Sequence, residues 1–161
     1  MIHEVVAVTV LTLAGLYPKE HAVIMDAARY NKCTHPVMVC VLHAIRTAEN
    51  GRPGLEFGVI HPRAMDRPDS LRVQAGWAAA TVQKNLARWL DSGEEVDFIT
   101  YLGRRYAPLD AKNDPTDLNR HWIRNVRKIT ARNLQAHSQW TLNIMKSPQT
   151  WVKENKRWTK N

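Results

Sequence analysis

The sequence predicts a mainly α-helical domain spanning residues 1–161, organised around one buried central helix and carrying a small β-hairpin lobe. Three observations carry this expectation. Apolar residues recur at spacings of three and four through most of the chain, the pattern of amphipathic helices. Proline or a short polar residue precedes several of these rows, as at Pro18, Pro36, Asp69 and Asp114-Pro115. Between Gly51 and Pro68, by contrast, three glycines and three prolines exclude a helix, and Leu55, Phe57 and Val59 alternate with Glu56 and Gly58 as in a strand.

A chain of 161 residues, 44% hydrophobic and 24% charged, suffices for a single core. The net charge of +8, from 23 Lys and Arg against 15 Asp and Glu, suits polyanionic partners. Nucleic acid, an anionic membrane surface and the acidic polymers of a bacterial wall all qualify. Cys33 and Cys40 would lie about 10 Å apart on one helix, out of disulfide reach, but with Cys33 in the preceding loop a bridge stays open. The default is two thiols with no redox or zinc pattern.

In chain order, residues 5–16 form an uncharged, mostly apolar dozen, short of the roughly 20 that a bilayer span needs. Glu4 stands where a signal peptide carries basic residues, and no clear cleavage site follows. A buried element is expected, with membrane interaction the weaker alternative. From Pro18 to Asn31, Val23, Ile24, Ala27, Ala28 and Tyr30 predict a helix beside the central one. The central helix starts near His35 and Pro36 and ends at Gly51 as a left-handed cap; its apolar residues lie nearly all round, as in a buried rod. His43 points about 100 degrees off the neighbouring rows and is expected to be partly exposed.

After the hairpin-like stretch, Asp69 or Ser70 caps a helix running to about Leu90, with Leu71, Ala75, Ala78, Val82, Leu86 and Trp89 on its inner face. A helix from about Glu94 to Tyr106 carries Val96, Ile99 and Leu102, and Pro108 ends it. Asp114 and Pro115 start another, lined by Leu118, Trp122, Val126 and Ile129, with a bend or break after Ala131 and before Trp140. From about residue 147 a basic extension sets Trp151 and Trp158 among Lys153, Lys156, Arg157 and Lys160, with its tryptophans expected to pack on their own domain.

Glu49 is the local misfit. A helix C-terminus is the negative end of the dipole, so a carboxylate there is disfavoured when ionised. Glu49 also continues the apolar row Met38, Leu42, Ile45, which places it at the edge of the core. Both effects raise its pKa, and a carboxylic acid that keeps its proton near neutrality can protonate a leaving oxygen. The plain alternative is a solvated Glu paired with Arg46 or Arg52.

The order helix, Glu, small or polar residue, Gly and short hairpin, here with GLEFGVIHP, resembles the active-site region of the lysozyme-like superfamily, including soluble lytic transglycosylases and phage muramidases. A second patch, RRYAPLDAKNDPTDLNRHWIRNV, resembles the Tyr-Ala-Pro, Asn-Asp and aromatic sequence of phage lysozyme-like proteins. The resemblance spans roughly residues 35 to 127. It implies an α+β lysozyme-like fold whose hairpin lobe walls a sugar cleft, with Glu49 as catalytic acid. It further implies substrate contacts from Glu56, Phe57, Gly58, Tyr101, Tyr106 and Asn113. Of the two tyrosines, Tyr106 matches better the one lying near the catalytic Glu.

The implied reaction is cleavage of the β-1,4 bond between N-acetylmuramic acid and N-acetylglucosamine in peptidoglycan. In a muramidase a second carboxylate assists, for which Glu56, Asp66 and Asp69 are candidates. In a lytic transglycosylase the 6-hydroxyl of the substrate closes an anhydro ring with the same Glu as base, and this single-Glu form is slightly favoured. Peptidoglycan strands are the expected partner, with other virion proteins a further one, in a phage virion or released to the periplasm or cell wall. No metal or cofactor is expected. A non-catalytic virion or wall-binding protein is the alternative, and a nucleic-acid binder, favoured by charge alone, ranks third.

Overall fold

The computed structural model describes residues 18–112, 114, 117–134 and 145–158, and in these it is mainly helical. Six helices follow in order: α1 (Pro18–Tyr30), α2 (Pro36–Glu49), α3 (Ser70–Ser92), α4 (Phe98–Tyr106), α5 (Asn119–Asn133) and α6 (Pro148–Trp158). The expectations for residues 5–16 and for the bend before Trp140 lie outside the described residues, as does Asn113.

α2 is the central rod. Every residue from Val37 to Ile45 is buried, His43 included. Three valines in its first turns are modest helix formers, so burial rather than propensity holds this helix: each buried Val, Leu, Ile or Met side chain contributes about 1.5–3 kcal/mol. Pro36 sits in its first turn, and the His35 ring accepts from the Val37 N–H at 3.3 Å. The left-handed cap is Asn50, with φ 45°, rather than Gly51. Asn tolerates that conformation, and its N–H still closes on the Arg46 carbonyl at 3.3 Å. α2 packs most extensively on α5, and α1 on α3.

The β-hairpin lobe is not formed. Among the described residues there is no strand, and residues 51–68 fold as successive turns. The alternation of Leu55, Phe57 and Val59 imitates a strand, but Glu56 is buried along with Phe57, so the segment has no polar face. The backbone groups that a partner strand would have satisfied go instead to one side chain of α3. Gln74 Oε1 accepts from the Phe57 and Val59 N–H groups at 3.2 and 3.0 Å, and its Nε2 donates to the Val59 and Ala64 carbonyls at 2.9 and 3.1 Å. Gln74 is fully buried, so through it the Phe57 and Val59 N–H groups and the Ala64 carbonyl are paired, and the Val59 carbonyl gains a second donor beside the His61 N–H.

Two other helix starts differ from expectation. α4 begins at Phe98, not Glu94, because Asp97 caps it by accepting from the Thr100 N–H at 3.1 Å. α5 begins at Asn119; Asp117, at φ 56°, interrupts the chain, while the Asp114 carboxylate reaches forward to the N–H groups of Leu118 and Asn119 at 2.9 and 2.7 Å. Asp69 occupies the cap position of α3 but makes no capping bond; its carboxylate goes to Arg67 at 2.9 Å. Cys33 and Cys40 are both buried and free, and burial pushes each thiol up to about 12, leaving them unreactive at neutral pH. Trp151 of α6 is buried against His35 and Trp89, so the C-terminal helix does pack this tryptophan on its own domain.

Candidate functional site

Glu49 closes the last turn of α2, where the rod emerges from the core, and its side chain is half-buried. Neither cation that could have neutralised it does so. Arg46 pairs with Glu20 at 2.9 Å, and Arg52 pairs with Asp66 at 2.6 Å. Among the described residues Glu49 has no ion pair. Among these residues its hydrogen bond comes from the indole of Trp122, whose Nε1–H donates to Oε1 at 2.7 Å.

Burial raises the Glu49 pKa above the ordinary glutamate range, and the Trp122 bond pulls it back in part. With Oε1 engaged by the indole, the proton of the neutral acid resides on Oε2. That oxygen lies against Gly58. A Cβ at position 58 would collide with Oε2, and Gly58 holds φ at +67°, a conformation that also favours glycine. The glycine therefore leaves room for this oxygen where any side chain would displace it.

Two aromatic rings back this carboxyl group. Tyr106, at the end of α4, stacks on Trp122 with centroids 5.3 Å apart and rings 22° from parallel. Its hydroxyl donates to the Phe57 carbonyl at 2.8 Å, tying α4 to the turn that presents Gly58. Burial, and then the nearby Glu49 charge, push the Tyr106 pKa well above its ordinary value, so the phenol keeps its proton and acts as a donor. Trp122 can stand this close because α4 offers Gly103 beneath it: a Cβ there would meet Ile123 at 2.5 Å and the Trp122 ring at 3.3 Å. Arg127 of α5 further fixes the pairing of α4 and α5 by bonding Asp97 at 2.7 Å.

Of the residues expected at the site, Glu49, Gly58 and Tyr106 come together, and Phe57 contributes its carbonyl while its ring fills the core. Tyr101 is a buried core residue. Glu56 is buried as a brace for the loop, its Oε1 accepting from Ser70 Oγ at 2.7 Å and from the Gly54 N–H at 3.1 Å. Trp122, expected only as part of the apolar row of α5, is the residue that joins this cluster without having been singled out by the sequence. The available signal was that a buried indole N–H needs an acceptor and a buried Glu needs a donor.

A surface depression beside the start of α3 is lined by Pro53, Gly54, Glu56, Asp66, Asp69 and neighbouring residues, and Glu49 is not among them. The carboxylates there are already engaged. Asp66 is held by Arg52 and Asp69 by Arg67, which lowers both pKa values, and Glu56 serves the loop. Glu49 differs from them: burial favours its neutral form, and no cation among the described residues neutralises it. No cluster of His, Cys, Asp or Glu suited to a metal ion occurs among the described residues. No protein family, curated protein or solved structure matches the chain.

Proposed function

We propose that this protein cleaves the β-1,4 bond between N-acetylmuramic acid and N-acetylglucosamine in peptidoglycan, with Glu49 as the general acid. The observation that carries the reading is the Glu49 carboxyl group itself: partly buried, without an ion pair among the described residues, fixed through Oε1 by Trp122 and set with Oε2 against Gly58. Such a group can give its proton to the glycosidic oxygen as positive charge develops on the sugar. A lysozyme-like arrangement accords with a buried helix ending in Glu and a turn segment lying against that end, here built without the hairpin.

The single-acid form of the reaction is favoured, because Glu56, Asp66 and Asp69 are each occupied elsewhere. In that form the 6-hydroxyl of the muramic acid residue attacks its own anomeric carbon as the glycosidic bond breaks. Glu49, having given up one proton, accepts the proton of that hydroxyl. The products are an anhydro end and a free sugar end, with no water consumed.

Purified murein incubated with wild type and with Glu49→Gln, read by mass spectrometry, tests the proposal. Wild type should release anhydro-muropeptides, one water lighter than hydrolytic products, and Glu49→Gln should release none. Hydrolytic products alone would replace the transglycosylase form with a muramidase form. Equal release by both proteins would remove Glu49 from the chemistry. A second reading, binding to the wall without cleavage, draws on Arg120, Arg124, Lys128 and Arg132, which recur every four residues on the exposed face of α5. Co-sedimentation with murein but no soluble product from wild type would favour it.

A further inference from the structure

The chain leaves the Glu49 site along Gly58, Val59, Ile60 and His61, and it arrives at a partly exposed aromatic pair. Trp77 of α3 is 40% exposed and Ile60 is 56% exposed. The His61 ring leans on the Trp77 indole with centroids 4.7 Å apart and planes 39° apart. The placement of this pair is rigid. Gln74 clamps the backbone of Val59 by two bonds, and Trp77 lies three residues further along the same helix, on the same face. The neighbouring Gly76 faces open space, so the surface beside Trp77 is unobstructed.

The chemistry offered is specific. His61 Nδ1 accepts from the Arg63 N–H at 3.1 Å, which leaves the ring N–H at Nε2, directed away from its own loop. The pair thus presents an aromatic face and, beside it, one hydrogen-bond donor. An aromatic face receives the C–H face of a pyranose ring, whose axial hydrogens carry partial positive charge against the negative face of the indole. The adjacent donor fits an acetamido carbonyl. From Gly58 to His61 is three residues, at most about 11 Å of chain, so a glycan lying over Glu49 extends to this pair within a few sugar rings.

We propose that Trp77 and His61 form a subsite for an N-acetylated hexosamine ring, with Trp77 stacking on the sugar and His61 donating to its acetamido group. The proposal rests on the reading of Glu49 as the acid that cleaves the same strand. The test is calorimetric binding of tetra-N-acetylchitotetraose to the full chain carrying Glu49→Gln, so that no ligand is consumed. Cellotetraose, which lacks acetamido groups, is the specificity control. Adding Trp77→Ala should weaken binding of the acetylated tetramer about tenfold, the equivalent of one aromatic stacking contact. Adding His61→Phe should leave stacking in place and erase the preference for the acetylated tetramer over cellotetraose. Unchanged melting temperatures check that both exposed substitutions spare the fold.

Equal affinity with and without Trp77, or no binding of the tetramer to the Glu49→Gln protein, overturns the subsite. An undiminished acetamido preference in His61→Phe overturns the role of His61. The two readings fail separately. Trp77-dependent binding by a wild type that cleaves nothing keeps the subsite and loses the catalysis. Murein cleavage with Trp77-independent binding does the reverse.

Discussion

Replacing Trp122 with Phe isolates the hydrogen bond that Glu49 receives from the indole. The ring remains to stack on Tyr106, so packing against α4 is nearly kept, while the Nε1–H donor at 2.7 Å is removed. A hydrogen bond to an ionised group is worth about 1.5–3 kcal/mol, and one pKa unit corresponds to about 1.4 kcal/mol. Losing the donor disfavours the carboxylate more than the neutral acid, so the Glu49 pKa moves up further from the ordinary glutamate range. The working form of a general acid is the protonated one, present below its pKa and lost as pH rises through it. The alkaline limb of the pH profile for murein solubilisation should therefore shift to higher pH in Trp122→Phe. A limb that stays in place, or that moves to lower pH, would refute the reasoning, since it would mean that the indole does not act on the group that limits the rate.

Three further outcomes follow from the same geometry. Gly58→Ala places a methyl group into Glu49 Oε2 and forces a left-handed conformation costing about 1–2 kcal/mol; murein solubilisation should fall at least tenfold, with a measurable loss of melting temperature. Gln74→Ala strips the partner from three backbone groups of the 57–64 segment and one of two donors from the Val59 carbonyl, and should destabilise the fold by about 3 kcal/mol or more in urea unfolding; a loss within experimental error would show that the loop does not depend on this side chain. His43 is buried, bonded to His21 at 3.1 Å, and lowered from 6.5 to about 4 by burial and then by His21. Because the folded pKa is below the unfolded one, the unfolded chain binds more protons between pH 6.5 and 4. Stability is fully present above pH 6.5 and declines by about 3 kcal/mol as pH falls through that window; urea unfolding of His43→Gln should show a clearly smaller decline.

Much of the helical framework was legible because its punctuation is local. Pro18 and Pro36 mark the starts of α1 and α2, and Gly93 takes the left-handed cap of α3. Glu49 was legible for a related reason: a carboxylate at the negative end of a helix, in line with an apolar row, contradicts its surroundings. What the sequence hid depends on partners far along the chain. The stretch around Phe57 has the alternation of a strand, and only the fold brings Gln74, 17 residues from Phe57, into the place of a neighbouring strand. The Trp122 donor and its acceptor are 73 residues apart. His43 stands off the apolar rows and would be exposed on a one-sided helix, but α2 is covered on all sides, so an off-row position is buried as well.

The claim beneath the whole account is that Glu49 holds its proton above the pH at which an ordinary glutamate releases it. Carbon NMR of the side-chain carboxyl groups, followed through a pH titration and assigned by the signal missing in Glu49→Gln, measures this without any substrate. Glu49 should titrate above the ordinary glutamate range, while Asp66 and Asp69, held by Arg52 and Arg67, titrate below the ordinary aspartate range. A Glu49 signal that titrates at or below the ordinary value would mean a plain surface carboxylate at a helix end, and the proposed acid chemistry would lose its foundation.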